Sequence, residues 1–242
     1  MIIRTCQSVT VLLILLLYGC SGVERSKSGQ NSDSFLQVHF ERSLTYHALA
    51  QSYQLVGQLK GDDDQVIEVV YWIKGREKVK ASMRHPDSDE PFFEGWTNGE
   101  KAWRNGEPCE RCMAGDRTFD ALNPVFKLIM ADQFISPGGS DIESIFLGRI
   151  ETDQGLVNQV SVSSISYGKI QANFDSQTGL LQRVEGDQIG VIRYGDYREV
   201  LEGKYLPYRI EGDYDGTYLI IELREVLLDE LSEDLFDDPS KN

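Results

Sequence analysis

Residues 174–229 read FDSQTGLLQRVEGDQIGVIRYGDYREVLEGKYLPYRIEGDYDGTYLIIELREVLLD, and this stretch decides the fold. It consists of short runs rich in apolar and aromatic residues, separated by turn sequences such as DSQTG (175–179) and DYDGT (213–217). Asp and Gly are favoured in turns, because Asp bonds to nearby backbone and Gly tolerates a positive φ. The stretch therefore predicts consecutive strands that reverse direction at close turns. No helical pattern alternates with these strands, so a parallel sheet is not expected.

The same two-residue period continues on the N-terminal side of this stretch. VIEVVYWIK (66–74) is apolar on nearly both faces, as in a strand that is covered on each side, whereas KVKASMR (78–84) alternates cleanly. Two short strand-like runs flank Thr97-Asn98-Gly99, and an Asn-Gly pair between such runs predicts a hairpin. Over the whole chain the patterns predict about ten or eleven strands.

Two segments show a helical period instead. Segment 35–54 carries apolar residues at four-residue spacing, and Asp33 or Ser34 is the expected cap. Segment 121–139 begins with Asn123-Pro124, a typical helix start. The apolar residues of the first segment are Phe35, Leu36, Phe40, Leu44 and Ala48, and those of the second are Phe126, Ile129, Met130 and Phe134.

Many antiparallel strands with two helices predict a mainly β, α+β fold. The expected architecture is a highly curved antiparallel sheet that forms an unclosed half-barrel, with the helices covering its concave side.

The N-terminus has the features of an export signal. A ten-residue apolar run, 9–18, follows Arg4 and is too short to span a bilayer. Leu17-Tyr18-Gly19-Cys20 resembles the lipobox of bacterial lipoproteins, which predicts cleavage before Cys20 and acylation of its side chain. An ordinary cleaved signal, or a membrane anchor that happens to contain Cys20, is the alternative.

These patterns divide the chain into four parts. Residues 1–19 are the predicted signal peptide, 20–34 the acylated cysteine with a polar, flexible tether, 35–236 a single folded domain, and 237–242 a C-terminal tail. Ser21 favours sorting to the outer membrane, which predicts a lipid-anchored protein of the bacterial cell envelope that faces the periplasm.

The net charge of −15 limits the partners. Nucleic acid binding needs Lys and Arg to displace counterions, so a nucleic acid partner is excluded. The same charge disfavours adsorption to an anionic lipid surface, so an acyl chain on Cys20 has to hold the protein at the membrane. The protein is expected to be a monomer.

Two cysteines remain in the predicted mature domain, Cys109 and Cys112 in EPCERCM. In an exported protein they are expected to form a local disulfide. A thioredoxin-like redox pair is the functional alternative, but it requires a helix start within a βαβ pattern, and none is visible. A metal ligand pair or two unbonded thiols also remain open.

Motifs of catalysis are missing from the sequence. There is no phosphate-binding Gly-rich loop, no G-x-S-x-G and no H-E-x-x-H. The acidic clusters at 62–64, 87–90 and 213–215 fall at predicted turns, where Asp is favoured for structural reasons. His39, His47 and His85 are too scattered to indicate a triad or a metal site, so no enzyme activity, cofactor or metal is expected.

The apolar positions on the concave side of the predicted sheet are the candidate ligand contacts. They could line a cavity or form an ordinary core, and the sequence does not decide between these. The candidates are Val79, Ala81, Met83, Ile170, Ala172, Phe174, Leu219, Ile221 and Leu223 on strands, and Phe126, Ile129, Met130 and Phe134 on the second helix, with Trp72, Trp96 and Trp103 added to the same face.

The stretch 174–229 also resembles the C-terminal half of the Lol-type lipoprotein carrier superfamily, in its outer-membrane lipoprotein-sorting-like branch. The matching residues are Phe174-Asp175, Thr178-Gly179-Leu180-Leu181, Tyr194-Gly195-Asp196-Tyr197-Arg198 and Gly203-Lys204-Tyr205-Leu206-Pro207. The resemblance extends loosely over residues 35–236, although the first helix lacks the Gly pair often seen there and EPCERC is not a feature of the family.

The resemblance implies an unclosed β-barrel with a helical lid, whose apolar interior holds the acyl chains of a lipid or lipoprotein without a cofactor. The expected function is therefore lipid or lipoprotein binding in the envelope, with a role in lipoprotein sorting or lipid transport. The alternatives are a non-enzymatic interaction scaffold with a filled core and a periplasmic thiol-disulfide protein.

Overall fold

The structure is a computed structural model of the chain. It describes residues 32–44, 52–61, 65–75, 78–109, 128–129, 135, 143–164, 168–187, 189–214, 217–228 and 230–237, which belong to one compact unit.

Strands dominate these residues. They are β1 (Ser52–Lys60), β2 (Val66–Lys74), β3 (Lys78–Arg84), β4 (Phe93–Asn98), β5 (Ala102–Arg104), β6 (Glu107–Pro108), β7 (Glu143–Thr152), β8 (Gly155–Ser164), β9 (Gly168–Asp175), β10 (Leu181–Gly186), β11 (Gly190–Leu201), β12 (Lys204–Tyr214) and β13 (Thr217–Leu227). Helix α1 spans Ser32–Arg42, and a 3-10 turn spans Glu233–Phe236.

All thirteen strands form one antiparallel sheet in the order β6-β5-β4-β3-β2-β1-β13-β12-β11-β10-β9-β8-β7. The sheet thus consists of two meanders, β1–β6 and β7–β13, joined where the first strand pairs with the last. β6 and β7 lie at opposite edges, so the sheet is not closed, and the predicted half-barrel is confirmed. Thirteen strands replace the predicted ten or eleven, in part because β6 has two residues and shows no alternation.

Alternation decides which face of the sheet is buried. In β1 every second residue is buried, including Leu55. The register continues this row across the sheet, since Leu55 pairs with Tyr71 on β2 and Tyr71 pairs with Ala81 on β3. We call the face that carries this row the inner face, and the opposite one the outer face. The hydrophobic core lies on the inner face.

Helix α1 packs against β7 and β12 and contributes Leu36 and Phe40 to the core. Its stripe follows the predicted spacing, and the helix begins at Ser32, one residue before the first predicted cap, Asp33. Of the second predicted helix, Leu128 and Ile129 are helical and buried. Phe126, Met130 and Phe134, like Ala48 of the first segment, lie outside the described residues.

The turn at 175–179 is built as its sequence predicts. Asp175 Oδ1 accepts hydrogen bonds from the backbone N–H groups of Gln177 and Thr178, at 3.0 and 2.6 Å. Gly179 has a φ of 73°, which glycine adopts without strain. The Asn98-Gly99 hairpin is confirmed in the same way, because Asn98 Oδ1 accepts from the N–H groups of Glu100 and Lys101.

Candidate functional site

The candidate ligand contacts on strands that the structure describes lie together on the inner face. Val79, Ala81, Met83, Ile170, Ala172, Phe174, Ile221 and Leu223 are at most 8% exposed, and Leu219 packs against them while partly buried. Ile129 joins them from outside the sheet at 3% exposure. Sequence alternation therefore identified one contiguous apolar surface, which we call the candidate face.

The centre of the candidate face is formed where the two meanders meet. Leu223 of β13 pairs with Gly57 of β1, and Ile221 pairs with Leu59 on one side and Ile210 on the other. A side chain at Gly57 would place its Cβ 2.8 Å from the carbonyl oxygen of Glu222. Glycine thus permits the close approach of β1 and β13 at the bulge between Val56 and Gly57.

The three tryptophans are an exception, and their assignment to the concave side is wrong. Trp72 pairs with Lys80, Lys80 with Trp96, and Trp96 with Trp103, in positions that alternate with the inner-face row. The indole rings of Trp96 and Trp103 stack at 5.8 Å on the outer face. The prediction failed because it rested on the size and aromatic character of the tryptophans. It did not use their position in the inward/outward alternation of each strand.

The C-terminal segment 230–237 covers this outer-face cluster. Trp96 Nε1 donates a hydrogen bond to the carbonyl oxygen of Asp237 at 3.2 Å, and Phe236 is 1% exposed. Lys74 Nζ donates to the carbonyl oxygen of Leu231 and pairs with Glu233. The outer face of β2–β5 is therefore partly buried by the end of the chain.

Helix α1 covers the candidate face at the side of the C-terminal meander. His39 is fully buried, and its Nδ1 accepts a hydrogen bond from the backbone N–H of Leu181 at 3.2 Å. Arg42 donates to the carbonyl oxygen of Thr178, and Lys204 donates to that of Glu41. The ring of Phe35 stacks on Phe146 of the edge strand β7 at 4.9 Å.

The two described histidines pack against neighbouring elements. His39 holds α1 against β10, and the exposed His85 packs on Phe92 at 4.9 Å. His47 lies outside the described residues. Within the described part of the chain, no three His, Cys, Asp or Glu side chains come close enough to hold a metal ion.

Charged side chains form a chain of contacts across the outer face. Lys60 Nζ pairs with Glu222 at 2.7 Å, and Arg209 bridges Glu222 and Glu211. The hydroxyl of Tyr218 donates to Glu211. Hydrogen bonds from Tyr218 and Arg209 lower the pKa of Glu211, and the hydrogen bond from Lys60 lowers the pKa of Glu222.

Two adjoining clefts occur near the β7–β8 turn. The first has a volume of about 240 Å³ and is lined by Thr152, Asp153, Gln154, Asn173, Gln182, Arg183 and Arg193. The second, of about 320 Å³, is lined by Gln154, Asp175, Thr178, Leu180, Gln182, Tyr194, Gly195, Asp196 and Tyr197. Neither contains a predicted ligand contact. Sequence reasoning missed both clefts, because they depend on which strands are neighbours.

The cysteine pair is described only in part. Cys109 follows β6, where its backbone N–H donates to the carbonyl oxygen of Ala102 at 2.8 Å. Cys109 thus lies directly after a strand. Cys112 lies outside the described residues, as does Cys20, so the pairing and the acylation stay predictions.

No helix within the described ranges is long and apolar enough to cross a membrane.

The sequence matches no protein-family model and no curated protein, whereas solved structures share its architecture. A LolA superfamily protein from Nitrosomonas europaea superposes with a TM-score of 0.57 at 16% identity, over 85% of this chain and 97% of the other. The chain has a LolA-like fold.

Two further structures extend this likeness. An outer membrane lipoprotein-sorting protein domain from Vibrio parahaemolyticus gives a TM-score of 0.53 at 10% identity, over 87% of this chain and 99% of that domain. A DUF1329 family protein from Desulfovibrio piger gives 0.58 at 11% identity, over 86% and 98%. At these identities the likeness concerns the fold, and it confirms the architecture implied by the motifs of 174–229.

Proposed function

We propose that the protein is a non-catalytic binding protein of the bacterial cell envelope, which holds the acyl chains of a lipid or a lipoprotein against its candidate face. The observation that carries this proposal is the large apolar inner face of a sheet that does not close on itself. Burial of apolar surface contributes about 25 cal/mol per Å², so an acyl chain lying on this face would gain affinity without any polar contact.

The inner face is larger than helix α1 alone can cover. Thirteen strands about 4.8 Å apart extend over nearly 60 Å along the sheet, whereas the eleven residues of α1 extend over about 16 Å. Because the candidate residues are nonetheless buried, other segments cover them too, and an acyl chain would lie between that cover and the sheet.

The attachment of α1 is also consistent with a cover that moves. Besides apolar packing, its described polar contacts include those of His39, Arg42 and the carbonyl oxygen of Glu41 with the sheet or its turns. A neutral hydrogen bond contributes about 1 kcal/mol net and one from a charged donor about 1.5–3 kcal/mol, and water replaces each of them when the helix moves. A ligand could therefore enter beside α1 without unfolding the sheet.

A scaffold with a filled core is the second candidate function. It is favoured by the burial of the candidate residues, of which Phe174 and Ile221 are fully inaccessible to solvent and pack within one cluster. In that case the fold would present its surfaces to partner proteins, and the inner face would serve stability alone.

The test uses the full chain with Cys20→Ser, secreted into a bacterial periplasm and examined by native mass spectrometry before and after organic extraction. We expect a lipid-sized adduct that extraction removes. A protein of unmodified mass that takes up no fluorescent fatty acid would contradict the binding function and favour the filled core.

A matched pair of variants locates the adduct. Ala81→Leu fills space on the inner face and is expected to lower the bound fraction, whereas Ser82→Leu adds the same bulk to the outer face and should not. Overpacking at Ala81 costs about 1–3 kcal/mol, so thermal unfolding is measured on both variants. Equal lipid content in two folded variants would place the ligand elsewhere.

The proposal includes a lipid anchor on Cys20, a location at the outer membrane and a local disulfide between Cys109 and Cys112. The anchor predicts that the wild-type N-terminal peptide carries fatty acids that Cys20→Ser lacks.

The disulfide is proposed as a structural link, so the double variant Cys109→Ser/Cys112→Ser should fold and bind lipid as the wild type does. Loss of function in a folded double variant would favour a thiol-disulfide role instead.

A further inference from the structure

We infer that the outer face carries a binding site for a small oxyanion, a phosphate or a carboxylate, between Arg183 and Arg193. The site is the cleft of about 240 Å³ beneath the β7–β8 turn. It lies on the side of the sheet opposite the candidate face, so it is independent of the proposed lipid binding.

The strand register brings the two arginines together. Arg183 of β10 pairs directly with Arg193 of β11, and on its other side it pairs with Asn173 of β9. Their neighbours Val184 and Ile192 are fully buried in the core, so by alternation the arginines point to the outer face. Side chains of directly paired residues start about 5 Å apart, and like charges in that position are destabilising. The direct pairing of two arginines therefore lowers the stability of the fold, so a stabilising role does not explain it.

The carboxylates around the pair leave one guanidinium available. Arg183 Nη2 bonds to Glu185 at 2.8 Å. Arg193 pairs across the strands with Glu211, but the carboxylate of Glu211 accepts from Arg209 and Tyr218. Among the described residues, Arg193 forms no ion pair. Asp153 lines the same cleft, so Asp153 and Glu185 together balance the charge of the two guanidinium groups, and an anion would be held by their directed N–H donors and not by a net positive charge.

Beside Arg193, the other arginine of the pair also has a donor without an acceptor. Arg183 Nε is shut off from solvent, and no described residue provides an acceptor within hydrogen-bond distance. A buried donor without an acceptor is costly, and a shift of the Arg183 side chain toward an oxyanion in the cleft would pair it. The amides of Asn173 and Gln182 and the turn residue Gln154 line the same space, and amide N–H groups can donate to the remaining oxygens.

The volume of the cleft indicates what it can hold. Pockets for drug-sized ligands are about 300–1,000 Å³, and this cleft is smaller. Guanidinium groups bind the planar carboxylate and the tetrahedral phosphate through paired N–H donors. A small oxyanion in solution therefore fits the cleft in both size and chemistry.

The test is an NMR titration of the arginine Nε–H resonances in the full chain, held in a nonionic detergent at low ionic strength. Inorganic phosphate and acetate are the two probes, and chloride at equal ionic strength is the reference. We expect the Arg183 resonance, identified by its loss in Arg183→Gln, to shift saturably with phosphate or acetate but not with chloride. The probe that saturates at the lower concentration distinguishes a phosphate site from a carboxylate site.

Three variants make the result specific. Arg193→Gln should weaken binding by at least about tenfold, since hydrogen bonds between charged groups are the strong ones. Arg193→Lys, which keeps the charge but loses the paired donors, should show an intermediate loss. Arg224→Gln, an exposed arginine on β13 near Glu68, should bind as the wild type does. A shift that grows linearly, matches chloride, or persists unchanged in Arg193→Gln would overturn the site.

Discussion

The two faces of the sheet are made of neighbouring residues in the same strands, yet they are stabilised in different ways. On the inner face, apolar side chains from both meanders form one core with α1, and Phe174 and Ile221 are fully buried. On the outer face, Lys60, Glu222 and Arg209 form partly exposed ion pairs.

This difference separates stability from adaptability. Removal of a buried apolar side chain leaves a cavity that the close-packed core cannot refill, whereas exposed ion pairs each contribute at most about 1 kcal/mol. The outer face can therefore carry a charged binding site without disturbing the core packing that stabilises the fold. A ligand on the inner face has to compete with the packing of the core itself.

The largest expected contrast is between the inner face and an exposed ring outside the strands, and it comes from one substitution made in two places. Phe174→Ala removes a fully buried ring and should lower the free energy of unfolding by about 3–5 kcal/mol. Phe92→Ala removes a ring that is 48% exposed and should cost well under half as much. Urea unfolding measures both. Similar costs at the two sites would show that the inner face is not the core that stabilises the fold.

A glycine pair tests how tightly α1 is held to the sheet. Gly179 and Gly203 have φ values of 73° and 68°, so alanine at either position adopts an unfavourable backbone conformation that costs about 1–2 kcal/mol. At Gly179 the new Cβ would also lie 2.5 Å from Val38 Cγ1 on α1, whereas at Gly203 no atom lies within 4 Å. Gly179→Ala should therefore be the more destabilising variant in thermal unfolding.

The double variant Gly179→Ala/Val38→Ala isolates the clash with α1. Removal of the Val38 methyl groups should recover the difference between the two glycine variants but not their shared backbone cost. If the double variant is no more stable than Gly179→Ala, the turn and α1 are not in the contact that the structure shows.

The fold could be predicted because its signals are local. Alternation in KVKASMR, the Asp175 turn and the Asn98-Gly99 hairpin each depend on a few adjacent residues, and all three form as expected. The edge strand β6 could not be predicted, since two residues have no period.

The candidate site could be predicted only in part, because faces depend on phase and on partners distant in sequence. Ala81 and Phe174 were placed on the correct face by alternation. The tryptophans lie on the opposite face because they are out of phase with the inner-face row, and the segment that covers Trp96 lies 141 residues later in the chain. The Arg183–Arg193 pair needs the register of β10 and β11, which no pattern in either strand specifies.

The smallest expected effect concerns the outer-face ion pairs and their dependence on pH. The pKa of Glu211 is lowered in the folded protein, chiefly by the hydrogen bond from Tyr218 and also by Arg209. Its stabilisation is therefore fully present above the unfolded-state pKa of about 4.3 and is lost as the pH falls through the folded-state pKa. Glu211→Gln should cost less than about 1 kcal/mol at pH 7, because the group is partly exposed, and less still at pH 3. Urea unfolding between pH 7 and pH 3 checks this, with Glu100→Gln on the exposed hairpin as the control for one lost charge. An equal loss at both pH values would mean that the outer face stabilises the sheet through packing, as the inner face does.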